Sequence, residues 1–165
     1  MRVNCLRLIA TGLLITISAF AQQKVTRYTP IAKSQVPSEV IKAFKAAYPR
    51  ASVRVYVKVE IDGTPFYKLE TVDGDTHRKI SYTPDGSVAK IEERITANDL
   101  PTGALQATED KYPKAKITSA QRVTQAEQIS YEVSLKTGGK AFALKFDADG
   151  KLTAASEVKI KIATY

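Results

Sequence analysis

Hydrophobic and polar positions along the chain change period in a fixed order, and the order occurs twice. Between residues 36 and 48, Val40, Ile41, Phe44 and Ala47/Tyr48 fall at helical spacing, with Pro37 at the start and Pro49 just beyond the end. That pattern predicts a helix that opens on proline and stops before the next one. From Val53 to Ile61 the period becomes two: valines at 53, 55, 57 and 59 and Ile61 alternate with Arg54, Tyr56, Lys58 and Glu60. Such alternation predicts a half-buried strand whose valines face the core. Tyr67, Leu69 and Thr71 predict a second strand, and Ile80 with Tyr82 a third. A fourth carries Val88, Ile91 and Ile95. Gly74 and Pro84-Asp85-Gly86 mark the turns between them, Asp-Gly being a strong hairpin signal.

The same series returns 64 positions later without a gap. Val36-Pro37-Ser38 recurs as Leu100-Pro101-Thr102, Tyr48-Pro49-Arg50-Ala51 as Tyr112-Pro113-Lys114-Ala115, Tyr67 as Tyr131, Gly74 as Gly138, and Asp85-Gly86 as Asp149-Gly150. One register held over some sixty residues is an internal duplication. In the second copy, Ala104, Leu105, Thr108 and Tyr112 form a weaker helical stripe. The strands carry Ile117 to Val123; Tyr131, Val133 and Leu135; Phe142, Leu144 and Phe146; then Leu152, Ala155, Val158, Ile160 and Ile162. The expected fold class is α+β: two tandem repeats, 36–98 and 99–165, each one helix packed on a four-stranded antiparallel meander sheet.

The segment before the first repeat has a different character. Arg2 and Arg7 precede the apolar run from Leu8 to Ile17, and Ala19-Phe20-Ala21 supplies small residues at the −3 and −1 positions of a cleavage site. Residues 1–21 therefore read as a signal peptide, with a run too short to span a bilayer, so no stable membrane insertion is expected after cleavage. Cys5, the one cysteine, leaves with it. Residues 22–35 hold Lys24, Arg27 and Lys33, no acid and no sustained period, and read as a basic linker or loosely docked arm. The expected location is periplasmic or secreted.

Together these residues (a proline-opened helix ending in Tyr-Pro-x-Ala, a β-branched strand, a Tyr-x-Leu/Val strand and an Asp-Gly turn before the last strand) resemble the PepSY-like domains of exported bacterial proteins, in particular the subgroup similar to β-lactamase inhibitory protein. The resemblance covers essentially all of the chain after residue 21. It implies tandem repeats whose sheets make a broad surface for holding a protein. It does not carry over target-contacting loops residue by residue, and the disulfides of that inhibitor have no counterpart here.

Composition narrows the chemistry. The net charge of +8, from 25 basic and 17 acidic residues, falls to +6 without Arg2 and Arg7, and the arm holds half of that. The two repeats are almost neutral, so no concentrated basic footprint for nucleic acid remains. One His and one Cys leave no set of ligands for a His- or Cys-based metal site. His77 stands beside Arg78 and Lys79 without a nucleophile elbow in the chain. The paired acids Glu92-Glu93, Asp73/Asp75 and Asp147/Asp149 read as turn or strand carboxylates, and Gly138-Gly139-Lys140 as a turn. No enzyme activity, cofactor or metal is expected. The candidate partner-binding face is Arg54, Tyr56, Lys58, Phe66, Lys68 and Lys79, aromatic groups among cations, a combination suited to protein recognition. The expected function is an exported, non-catalytic binding module that holds an envelope protein or peptide on its open sheet face or between the repeats, with inhibition of a protein target as one form of it. The alternative is a sensor of a small ligand or anionic polymer.

Overall fold

A computed structural model describes residues 25–158. The signal-peptide reading of residues 1–21, and the expected strand positions Ile160 and Ile162, lie outside them. The chain is α+β: nine antiparallel strands form one continuous sheet in sequence order, with two helices. Strand β1 is Val25–Ile31. Helix α1 is Ser38–Ala47, followed by β2 (Ser52–Ile61), β3 (Thr64–Asp73), β4 (Thr76–Tyr82) and β5 (Val88–Ile95). Helix α2 is Thr102–Lys111, followed by β6 (Lys116–Gln125), β7 (Gln128–Thr137), β8 (Lys140–Phe146) and β9 (Leu152–Val158).

Local sequence explains the helices. Pro37 and Pro101 stand one residue before each helix, with extended backbone (φ −52°, ψ 141° and φ −54°, ψ 141°), and Tyr48 and Tyr112 close them ahead of a proline. Each is preceded by a short 3-10 turn. In the first, the Ala32 N–H donates to Gln35 Oε1 (2.9 Å); in the second, the Thr96 N–H donates to Asp99 Oδ2 (2.9 Å). Val40 and Phe44 of α1 are buried against Leu69, Ile80 and Tyr82. Ala104 of α2 is buried against Val133, Leu135, Leu144 and Phe146. Thr108 tolerates burial there because its hydroxyl donates to the Ala104 carbonyl one turn back (2.7 Å). Both helices lie on the same side of the sheet as these two cores, and among the described residues the other face carries no helix.

Two expectations need correcting. Residues 25–31 are not a loose linker: they pair with β2 as an edge strand, from Val25 opposite Ile61 to Ile31 opposite Tyr56. Ile31 packs at the margin of the first core, and that contact outweighs the absence of any period in the sequence. Nor do the valines of β2 all face α1. The register shifts between Val53 and Val55, leaving Arg54 as the extra residue of a β-bulge. Beyond it the facing inverts. Val53 and Tyr56 pack against the first core, whereas Val57 and Val59 point to the helix-free face. A matching shift between Ile117 and Ser119 turns Val123 to that face too.

Candidate binding face

The helix-free face is concave. Val57 and Val59 on β2 are only 2% and 6% exposed, yet neither belongs to either helix-covered core. Their cover comes from the sheet's own curvature. The Lys68 ammonium, on β3, lies 6.0 Å from the Tyr28 ring on β1, so its stem crosses β2 over these valines. The same ammonium is 3.3 Å from Glu92 Oε2 on β5. In a flat sheet β1 and β5 would stand four spacings, about 19 Å, apart. Register shifts in three of the four strand pairs between them supply the extra twist that brings them together.

Glu92 anchors this face. It is nearly buried, and Lys90 (2.8 Å) and Lys68 (3.3 Å) flank its two oxygens. Oε2 has an ion-pair partner in Lys68 but no aligned donor. Burial pushes the Glu92 pKa up, while the hydrogen bond and charge of Lys90, with those of Lys68, pull it down further, so the carboxyl sits below its ordinary value. Tyr28 feels the same constellation. Partial burial and the Glu70 carboxylate raise its pKa, Lys79 opposes, and Glu92 adds to the rise.

Beside Glu92 the face opens into a depression of about 420 Å³, lined among others by Arg54, Glu70, Lys79, Glu92, Arg94 and Gln121. Of the residues expected to make a binding face, Phe66, Lys68 and Lys79 do share this surface. Arg54 reaches the depression from its bulge. Tyr56 and Lys58 do not: Tyr56 packs at the first core, and Lys58, its side chain turned to the helix side, pairs with Glu60 (3.1 Å). The bulge at Arg54 is the reason. Reading parity from Val53 cannot detect it; the clue would have been that Tyr56, large and aromatic, alternates with the valines.

Sequence reasoning also passed over Tyr28, Lys90, Glu92 and Arg94 as members of one surface. They come from two strands, β1 and β5, with three others between them in the sheet order, and only the tertiary fold unites them. Several other acids are occupied locally. Glu93, on the helix side, accepts from Arg78 (2.6 Å) and Arg122 (2.7 Å), and Arg78 lies 5.5 Å from the Tyr48 ring. Asp147 Oδ1 accepts the N–H groups of Asp149 (3.1 Å) and Lys151 (2.8 Å) in its turn. Asp85 accepts from the Thr83 and Ser87 hydroxyls, and these bonds lower its pKa. His77 is exposed at the rim of the depression. Among the described residues no three His, Cys, Asp or Glu side chains converge as metal ligands, and no helix is long and apolar enough to cross a membrane.

The second half of the concave face differs in chemistry. Ser134, Ala143 and Ser156 lie in one cross-strand row, Lys145 and Ala154 in the next, and Lys145 pairs with Glu132 (3.0 Å). It is nearly neutral, next to a first half rich in cations and aromatic groups.

Comparison with known proteins places this architecture. No curated protein matches the chain. Among solved structures, a protein of Bacteroides eggerthii described as periplasmic is 16% identical, with a TM-score of 0.65 over 74% of this chain and 89% of its own. A DUF2874 family protein of Bacteroides uniformis gives 16%, 0.63, 74% and 89% for the same measures. A BLIP-like protein of Bacteroides fragilis gives 19%, 0.60, 78% and 92%. These likenesses establish the fold. One family model matches twice, over residues 22–90 and 66–154, in keeping with the duplicated sequence. This chain belongs to the beta-lactamase-inhibitor-like, PepSY-like family.

Proposed function

We propose that this chain is an exported, periplasmic, non-catalytic binding module that holds a protein partner on its concave sheet face. Its signal peptide is residues 1–21, and its two helix-plus-four-strand repeats span 36–98 and 99–165, with β1 added to the edge of the first. The observation that carries the reading is the concave face itself. Nine strands present a surface that no helix among the described residues covers, with Tyr28 and Phe66 beside Lys68, Arg54 and Lys79, residue types that anchor protein interfaces. The small side chains of its second half let a partner's backbone approach closely. The periplasmic setting is supported by the description of the eggerthii relative and by the leader-like N-terminus. Inhibition of an enzyme is one form such binding takes; the BLIP-like relative supports the fold for it and no specific target.

The test is site-specific photo-crosslinking in the periplasm, with the probe at Phe66 on the concave face or at Ala46 on the exposed side of α1. A discrete adduct from Phe66 and none from Ala46 supports the reading. No adduct from Phe66, or the same adduct from both, overturns it.

A further inference from the structure

Four cations line the depression on the concave face; Arg78 is matched by Glu93, and the other three, Arg54, Lys79 and Arg94, take part in no ion pair among the described residues. Most other cations here are matched: Lys68 and Lys90 by Glu92, Lys145 by Glu132. Within the depression only Glu70, opposite Lys79 across β3 and β4, stands against the three. Glu92 lines it as well, but its charge is already balanced by two ammonium groups. The cavity thus has an excess of positive charge in a partly enclosed, concave setting that strengthens attraction for an anion. Its lining also includes Val72, so it suits a ligand with both carboxylates and some apolar surface.

The three cations come from β2, β4 and β5. Arg54 stands at the bulge beside the Val55–Glu70 pair, Lys79 opposite both Glu70 and Glu92, and Arg94 two residues beyond Glu92 on β5, so the three charges are spread both across and along the sheet. One small anion reaches at most two such groups, whereas an extended peptide places alternate side chains about 7 Å apart on one face. We propose that this depression is a carboxylate subsite that receives an extended acidic segment of the protein partner. The inference rests on the reading above and adds the chemistry of the segment that is held.

The probe is a fluorescein-labelled hexaglutamate peptide, followed by anisotropy with the exported form of the chain. Saturable binding is expected, weakening at least about tenfold as salt rises from about 50 to about 300 mM. The variant R54Q/K79Q/R94Q should lose about tenfold or more in affinity, and R54K/K79R/R94K, which keeps the charges, should retain binding. K33Q/K45Q, which removes cations from the groove beside α1, should bind as the parent does. Circular dichroism checks that each variant is folded.

The proposal is overturned if hexaglutamate does not bind saturably, or if the charge-removing variant binds unchanged. It is also overturned if succinate or inorganic phosphate displaces the peptide at the peptide's own dissociation constant, which would make this a small-anion site. A chain that sediments as a dimer, and as a monomer once the three cations are gone, would make a second copy the occupant and overturn it as well. Should hexaglutamate fail while the Phe66 crosslink still captures its adduct, the acidic segment falls and the binding face stands.

Discussion

At the scale of single residues, the two copies answer the same structural demand with different chemistry, and Tyr82 shows the consequence. It is 1% exposed in the first core and its hydroxyl has no hydrogen-bond partner. Burial, and then the neighbouring Tyr48, raise its pKa, so the phenol stays neutral. Sixty-four residues later the equivalent position is Phe146, fully buried and with no polar atom to satisfy. A buried hydroxyl without a partner costs about 1–3 kcal/mol relative to its hydrated state. Tyr82→Phe is therefore expected to raise unfolding free energy by about 1 kcal/mol, and Phe146→Tyr to lower it by more, as measured by urea denaturation. Glu92 makes the opposite case, a nearly buried charge held by two partners. Glu92→Gln leaves Lys68 and Lys90 without their counter-ion and should cost about 2 kcal/mol. The pH dependence follows from the direction of its shift. Its folded pKa lies below the unfolded value of about 4.3, so its contribution is complete above that pH and is lost as pH falls through the folded value. Thermal melts between pH 7 and pH 3 should show an acid limb that is flatter in Glu92→Gln than in the parent.

At the scale of elements, turns and bulges decide where side chains go. The Asp-Gly turns are docked against the helix starts. A Cβ on Gly150 would stand 2.6 Å from the Ala104 nitrogen and 2.9 Å from Pro101 Cβ, at a φ of +84°; one on Gly86 would stand 2.8 Å from the Glu39 carbonyl oxygen. Glycine is needed there twice over, for the backbone angle and for the approach. Gly150→Ala is expected to cost about 3 kcal/mol, combining left-handed strain with a clash against backbone that cannot move aside. Gly139→Ala, also at positive φ but with open space around it, should cost about 1 kcal/mol. Denaturant midpoints of the two variants check the difference. The bulges at Arg54 and near Ser119 are the other deciding elements. Each moves the remainder of its strand to the opposite face, and the one at Arg54 is why Tyr56 and Lys58, two of the six residues expected on the face, lie elsewhere.

At the scale of the whole molecule, the halves are joined as one sheet rather than hinged as two bodies. Strand β5 pairs with β6 from Lys90 opposite Gln125 to Ile95 opposite Ala120, and Glu93 ties Arg78 of β4 to Arg122 of β6 across that seam. Sheet continuity couples the two cores. Urea unfolding followed by circular dichroism and by tyrosine fluorescence is expected to give one superimposable transition, whereas two separated transitions would show halves that unfold independently. Glu93→Gln should lower the midpoint by the equivalent of about 1 kcal/mol, a modest value because Arg122 is half exposed, and leave the transition single. The depression on the concave face spans this seam, with Arg54, Lys79 and Arg94 from the first half and Ser119 and Gln121 from the second.

The sequence by itself determined the two helices, the order of the strands between residues 36 and 158, the duplicated plan and the glycine turns. Each of these is set by neighbours within a few positions: a proline that cannot continue a helix, an alternation of period two, a residue that tolerates positive φ. It also placed Phe66, Lys68 and Lys79 on one face, as the register does. Only the tertiary structure decided which face each side chain took beyond Arg54, because a one-residue bulge inverts parity without altering the pattern of apolar positions. It alone turned residues 25–31 into a strand, through pairing with a segment some thirty residues away. It alone brought Tyr28, Lys68 and Glu92 together across five strands. Curvature is the sum of many small twists and bulges, each too weak to leave a mark in the local sequence.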